Sequence, residues 1–176
     1  MNSHQLTTIL KQDRYTGPIF RGVYPINRLP PHRNGFYIFN TAPDVHPGLH
    51  WIALFLKNDS TEYFDSYGGD PPSVLRHWGK KNQWLTNPIP LQSPLTSVCG
   101  QYCLYYLLHR SRGIDLTTLL MDFGADVDVN DKLVYDFVED HYDLKHLTMV
   151  DTENVISQLA QARLSDPSIR KMVWTV

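Results

Sequence analysis

An α+β domain, with a small central and mostly antiparallel sheet packed against helices, is predicted by three features of this 176-residue sequence. Strand-like segments cluster in its first half, at residues 35–40, 50–57 and 61–65. Helical periodicity fills its second half, at about 99–110, 115–122 and 130–141. No repeat, low-complexity tract or compositional break separates the two, so residues 1–176 read as one domain.

Each element follows from local chemistry. Residues 3–12 begin with Ser3 as a cap and set Leu6, Ile9 and Leu10 on one stripe, which predicts a short helix ended by Gly17 and Pro18. Residues 19–34 are rich in proline and arginine and read as an extended surface loop. The run 35–40, Gly-Phe-Tyr-Ile-Phe-Asn, has strand composition, and 41–48, with two prolines, reads as a turn. His50 then opens a strand over 50–57 whose nearly continuous apolar character places it centrally. Asn58, Asp59 and Ser60 supply hairpin chemistry, so 61–65 returns antiparallel.

Beyond Gly68 and Gly69, Pro71 or Pro72 can start a helix over 73–80 with Val74, Leu75 and Trp78 inward. Pro88 and Pro90 restrict 87–92 to an edge strand. Gly113 and Gly124 serve as helix stops, and Leu133, Val134, Phe137 and Val138 share a face of the helix over 130–141. A last amphipathic piece over 152–164 carries Val155, Ile156, Leu159 and Ala162 and is limited by Pro167.

Composition narrows the function. Hydrophobic residues make up 42% of the chain and aromatics 12%, enough to build a full core. The net charge of -2 and pI near 6.4 supply no field that would gather nucleic acid. No run of 18 apolar residues occurs, and the first residues lack the basic and apolar regions of a secretory signal, so a soluble, unsecreted and monomeric protein with no membrane partner is expected. The two cysteines, Cys99 and Cys103, lie four apart on one helix rather than stapling distant elements, which suits a reducing intracellular compartment.

The most informative stretch is 91–103, Leu-Gln-Ser-Pro-Leu-Thr-Ser-Val-Cys-Gly-Gln-Tyr-Cys, which runs from an irregular polar segment into an apolar helix. Cys103, Leu104, Leu107 and Leu108 recur at helical spacing, so one face should be buried with Cys99 in the first turn. The unpaired N–H groups and positive dipole end there stabilise a thiolate, the nucleophilic form of cysteine. A thiolate needs a base and a group to orient that base, and His50 and Asp65 fit. The first residue of one hairpin strand and the last of the other lie at the same end of a sheet. Gln92 can offer a side-chain amide to a developing oxyanion beside the Cys99 N–H. Trp51 could shield the imidazole, and Gly100 permits close backbone approach behind the nucleophile.

The chemical rival is a Cys₂His₂ metal site from His46, His50, Cys99 and Cys103, but Cys103 on an apolar helical face lacks zinc-knuckle spacing. Cys103 reads instead as a buried helix residue. The remaining histidines, His4, His32, His77, His109, His141 and His146, show no ligand spacing.

In chain order, His50-Trp51, Phe64-Asp65-Ser66, Gln92 and Cys99-Gly100 resemble the adenovirus endopeptidase (adenain) family and, more widely, the SUMO and ubiquitin-like deconjugating cysteine peptidases. The seven-residue step from Gln92 to Cys99 and the pattern Cys99-Gly-x-x-Cys103 look like the viral branch, whereas Asp65 followed by Ser66 is more like the deconjugating enzymes. The similarity is strongest over 35–110. It implies an adenain-like cysteine peptidase fold from a virus or a virus-derived mobile element, with catalytic residues Cys99, His50, Asp65 and Gln92. The implied polypeptide partners are viral structural precursors cut at small-residue or glycine-containing sites. Ubiquitin-like conjugates are the alternative, and a non-catalytic binding module of the same fold is a further one. Adenovirus endopeptidase takes an activating peptide through a disulfide at a cysteine upstream of the nucleophile. No cysteine precedes Cys99, so the sequence requires no cofactor and leaves room only for a noncovalent activating peptide. DNA as a second cofactor is disfavoured by the acidic balance.

Overall fold

The apolar run after His50 becomes the centre of the sheet. A computed structural model of the protein describes residues 1–46, 48–79, 83–144 and 148–149. Strands β1 (Phe20–Pro25), β2 (Gly35–Asn40), β3 (Trp51–Lys57), β4 (Ser60–Phe64) and β5 (Gln83–Thr86) line up in chain order. The antiparallel meander β2-β3-β4 forms its middle, and β1 and β5 join as parallel edges. The two-residue loop between β3 and β4 puts Asn58 at φ 46, a left-handed turn that asparagine tolerates.

Side chains alternate between two cores, as the two-residue period of a strand demands. Phe36, Ile38, Ala53 and Phe64 face α1 (Ser3–Gln12), α3 (Cys99–Ser111) and α5 (Val127–His141). Tyr37, Phe39, Ile52, Leu54 and Tyr63 face the opposite way, onto Leu75 and Trp78 of α2 (Ser73–Trp78) and onto Ile26 and Leu29 of the segment between β1 and β2. Two covered faces explain why β3 reads as almost uninterrupted apolar sequence.

Several expectations need adjustment. Asn2, not Ser3, caps α1: its side chain accepts from the Gln5 N–H, while the Gln5 side chain accepts from the Asn2 N–H. The segment 19–34 is not all loop, because Phe20–Pro25 pairs in parallel with β2. Gly22 at φ 133 and the register shift between Phe20 and Gly22 disguise it, and Pro25 is tolerated at the end of an edge strand. The far edge strand is Gln83–Thr86 rather than 87–92, since Pro88 and Pro90 have no N–H to donate to a ladder. α2 stops at Trp78, and the helix over 152–164 lies outside the described residues.

Helix α3 was expected to bury one face, yet it is buried on every side from Cys99 to His109. It packs on β3, α1, α5 and α4 (Leu116–Leu120). Its tyrosines tolerate this because each hydroxyl finds a partner: Tyr102 at Leu91 O, Tyr105 at Asp122 and Tyr106 at Glu62. Gly113, at φ 87, ends the turn that follows. The short strands β6 (Tyr142–Asp143) and β7 (Thr148–Met149) pair beyond α5. No described helix is long and apolar enough to cross a membrane.

Candidate active site

His50, Asp65 and Cys99 meet at one end of the sheet, as the sequence predicts. His50 immediately precedes β3 and is held by the hydrogen bond from Thr41 N–H to its carbonyl. Asp65 immediately follows β4, and the antiparallel register brings the two ends together. His50 Nε2 is 2.7 Å from Asp65 Oδ1, and both side chains are largely buried, at 13% and 10% exposure.

Several neighbours fix the Asp65 carboxylate. Oδ1 also accepts from the Tyr67 N–H at 2.9 Å, and Oδ2 accepts from the Tyr63 hydroxyl at 3.3 Å. Asn87, the residue after β5, grips the Asp65 backbone: its Oδ1 accepts from Asp65 N–H at 2.9 Å and its Nδ2 donates to Asp65 O at 2.6 Å. A side-chain amide thus replaces the next rung of the β4-β5 ladder. Gly68, at φ 66, turns the chain back so closely against Ile89 and Pro90 that a Cβ would lie 2.5 Å from the Ile89 carbonyl carbon.

Cys99 opens α3, whose first turn has no side-chain cap, so its N–H dipoles are available at the thiol. Burial alone would raise the Cys99 pKa, but the nearby His50 imidazole, the Trp51 backbone N–H and the imidazolium charge outweigh it, and the thiol is shifted below its ordinary value. The His50 pKa responds in the opposite sense. Desolvation pushes it down, while Asp65 first and Cys99 second pull it up to about 9. Nδ1 is buried without a hydrogen bond of full geometry, and with Nε2 committed to Asp65 it is the nitrogen left for Cys99. The arrangement favours a thiolate-imidazolium pair.

The imidazole is shielded by Tyr67 rather than Trp51. Tyr67 stacks on His50 with centroids 4.6 Å apart and planes at 29°. Trp51 turns toward α3, where its ring edge is in contact range of the position a Gly100 Cβ would occupy, and its indole N–H donates to Met1 O at 3.1 Å. Cys99, 9% exposed, opens onto a cleft of about 610 Å³ lined in part by Met1, Tyr24, Asn40, Leu49, Trp51 and Ser97. His46 also lines this cleft. Cys103 is 1% exposed in the core, where burial holds its thiol well above the ordinary pKa.

Gln92 lies on the segment entering α3 and is 2% exposed. Its backbone N–H donates to Ser66 O at 3.0 Å, its Oε1 accepts from the Ser66 hydroxyl at 2.7 Å, and its Nε2 donates to Thr96 O at 3.1 Å. Ser66 and Thr96 therefore fix which end of the amide is the donor. Sequence reasoning singled out neither Tyr67, Asn87 nor Thr96, whose roles depend on turn geometry; their only signal is adjacency to Asp65 and Gln92 or to a strand end.

No protein-family model matches the chain. Its sequence is 30% identical over 95 residues to cysteine protease S273R of African swine fever virus, a match covering 46% of this chain and 35% of that protein. The chain thus spans about a third of the length of the curated relative it matches. Among solved structures, one crystal structure of the African swine fever virus pS273R protease aligns over 85% of this chain and 67% of that one, at 18% identity and a TM-score of 0.56. A selenomethionine crystal structure of the same protease aligns over 66% and 45%, at 24% identity and a TM-score of 0.45. The chain therefore shares the mixed α+β fold of a viral cysteine protease, with its central antiparallel strands and packed helices.

Proposed function

We propose that this chain is a cysteine endopeptidase of viral type. The observation that carries the reading is the convergence of Cys99, His50 and Asp65 at the uncapped start of a buried helix, beside a cleft of about 610 Å³. The similarity to a protein named as a viral cysteine protease supports it. Cys99 attacks the scissile carbonyl as a thiolate, forming the C–S bond and moving the carbonyl π pair onto oxygen. His50, protonated at Nδ1 and oriented through Nε2 by Asp65, donates that proton to the leaving amine as the C–N bond breaks. Water then attacks the thioester carbon, His50 takes its proton, and the C–S bond breaks, returning its electron pair to the Cys99 thiolate and releasing the acid product. The Cys99 N–H and the Gln92 amide stabilise the oxyanion in both steps.

The substrate class follows the resemblance: viral structural precursors cleaved at small-residue or glycine-containing sites. Substrate profiling with wild-type protein and Cys99→Ala, with and without candidate activator peptides, tests the reading. Hydrolysis by the wild type alone is expected; equal hydrolysis by both proteins would remove Cys99 from the mechanism.

A second reading, removal of ubiquitin-like modifiers, draws on Ser66 beside Asp65, whose hydroxyl holds the Gln92 amide. Reaction of Cys99 with ubiquitin-like probes bearing a C-terminal electrophile, without cleavage of precursor peptides, would favour it.

A further inference from the structure

Helix α5 carries a buried carboxylate that the peptidase chemistry does not use directly. Asp131 is 5% exposed and faces the segment that joins Gln92 to Cys99. Its Oδ2 accepts from the Ser93 N–H at 3.2 Å and from the Thr96 hydroxyl at 2.6 Å, and its Oδ1 lies 2.9 Å from the Tyr102 hydroxyl, whose one proton it shares with Leu91 O at 2.8 Å. Tyr102 belongs to the first turns of α3, so one carboxylate ties the approach segment to the helix that presents Cys99. The adjacent Asn130 adds a bond from its Nδ2 to Leu91 O at 3.1 Å. The Tyr102 pKa is raised by burial and by the Asp131 charge, so its hydroxyl stays a donor.

The consequence lies in the direction of one hydroxyl. Thr96 Oγ has a single proton and two acceptors in reach, Asp131 Oδ2 at 2.6 Å and Ser93 O at 3.1 Å. The shorter, charged contact takes it. The Thr96 oxygen then turns lone pairs toward Gln92 Nε2, 3.3 Å away, beside the Thr96 carbonyl at 3.1 Å. With Ser66 donating to Oε1, the amide has one permitted orientation. With a neutral or absent group at 131 the Thr96 proton is freed to turn toward Ser93 O, and the direction of the lone pairs facing Gln92 is no longer fixed, loosening the amide.

We propose that Asp131 is a positioning residue of the oxyanion-binding segment, acting through Thr96 on the Gln92 amide and through Ser93 and Tyr102 on the path from Gln92 to Cys99. The inference rests on the peptidase reading above. Asp131 touches no reacting atom; it sets the donor geometry in advance, which is the condition for oxyanion stabilisation to lower a barrier.

The test separates two reactions of the same thiol. Alkylation by iodoacetamide needs the thiolate but no oxyanion donor, whereas hydrolysis of a quenched fluorogenic Gly-Gly peptide needs both. Asp131→Asn should lower kcat for the peptide by about 10-fold or more, since a slight misplacement of a donor is costly. KM and the iodoacetamide rate at Cys99 should stay near wild type. Thr96→Val should reproduce this split, Thr96→Ser should restore most of kcat, and Asp131→Asn combined with Thr96→Val should cost little more than either alone. Unchanged kcat in Asp131→Asn and Thr96→Val overturns the inference and leaves the peptidase reading standing. Equal loss of hydrolysis and alkylation in both overturns it in favour of a purely structural role. Absence of Cys99-dependent hydrolysis in the wild type overturns the peptidase reading and this inference with it.

Discussion

His50 lies between two acidic groups of different kinds: Nε2 is 2.7 Å from Asp65 Oδ1, and the Cys99 thiol is the group left to Nδ1. The ring is therefore held as an imidazolium at neutral pH, and a pH profile should show it. Below about 9 the proton needed by the leaving amine is present; above it the proton is lost and hydrolysis falls. The acidic limb follows Cys99, whose lowered pKa makes the thiolate available below the range of an ordinary cysteine. Asp65→Asn removes the largest influence holding the His50 proton, so the alkaline limb should move to lower pH and kcat should fall on the order of 10²-fold. A profile unmoved by Asp65→Asn would detach Asp65 from His50.

The two cysteines should differ sharply. Cys99 has a lowered pKa and a cleft in front of it, while Cys103 is buried with a raised one. At pH 7, mass spectrometry after brief iodoacetamide treatment should find Cys99 modified and Cys103 untouched. Cys103→Ala should keep the labelling pattern and most activity, at a stability cost of about 1 kcal/mol for the lost buried volume. Labelling of Cys103 at the same rate would contradict its burial.

Glycine at position 69 is tied to the Asp65 carboxylate. Its backbone has no left-handed φ, yet a Cβ there would lie 2.9 Å from Asp65 Oδ2. That oxygen is not the free end of a flexible chain, because the carboxylate is held by His50, the Tyr67 N–H and the Tyr63 hydroxyl. Gly69→Ala should displace it and lower kcat roughly 10-fold. The melting temperature should shift by only a few degrees, as expected for a change at an exposed turn.

The meeting of His50, Asp65 and Cys99 was legible in the sequence because each stands at the end of an element with a strong pattern. His50 precedes a continuous apolar strand, Asp65 ends the hairpin partner, and Cys99 starts an apolar helix. Edge strands β1 and β5 were not legible, because short segments with a glycine, a proline or few apolar residues carry no clear two-residue period. The supports of Gln92 and Asp65 were hidden for another reason. Asp131 meets Thr96 across 35 positions and Asn87 meets Asp65 across 22, contacts that only the tertiary arrangement creates.

Arg110 and Glu62 join α3 to the sheet, and their removal should loosen the site from behind. The guanidinium of Arg110 forms two hydrogen bonds with Glu62, one of them at 3.0 Å, and its Nη1 donates to Ile114 O at 2.8 Å. The Tyr106 hydroxyl adds a bond to Glu62 Oε1 at 2.7 Å. Both charged side chains are nearly buried, at 11% and 12% exposure. Desolvation works against the Arg110 charge, but Glu62 more than restores it, so the arginine stays charged. Glu62→Ala leaves that charge without its partner beneath Phe55 and should destabilise the protein by about 3 kcal/mol in denaturant titration. Glu62→Ala with Arg110→Met removes both charges and should recover part of the loss. Equal stability of the single variant and wild type would show that the pair contributes no more than an exposed one.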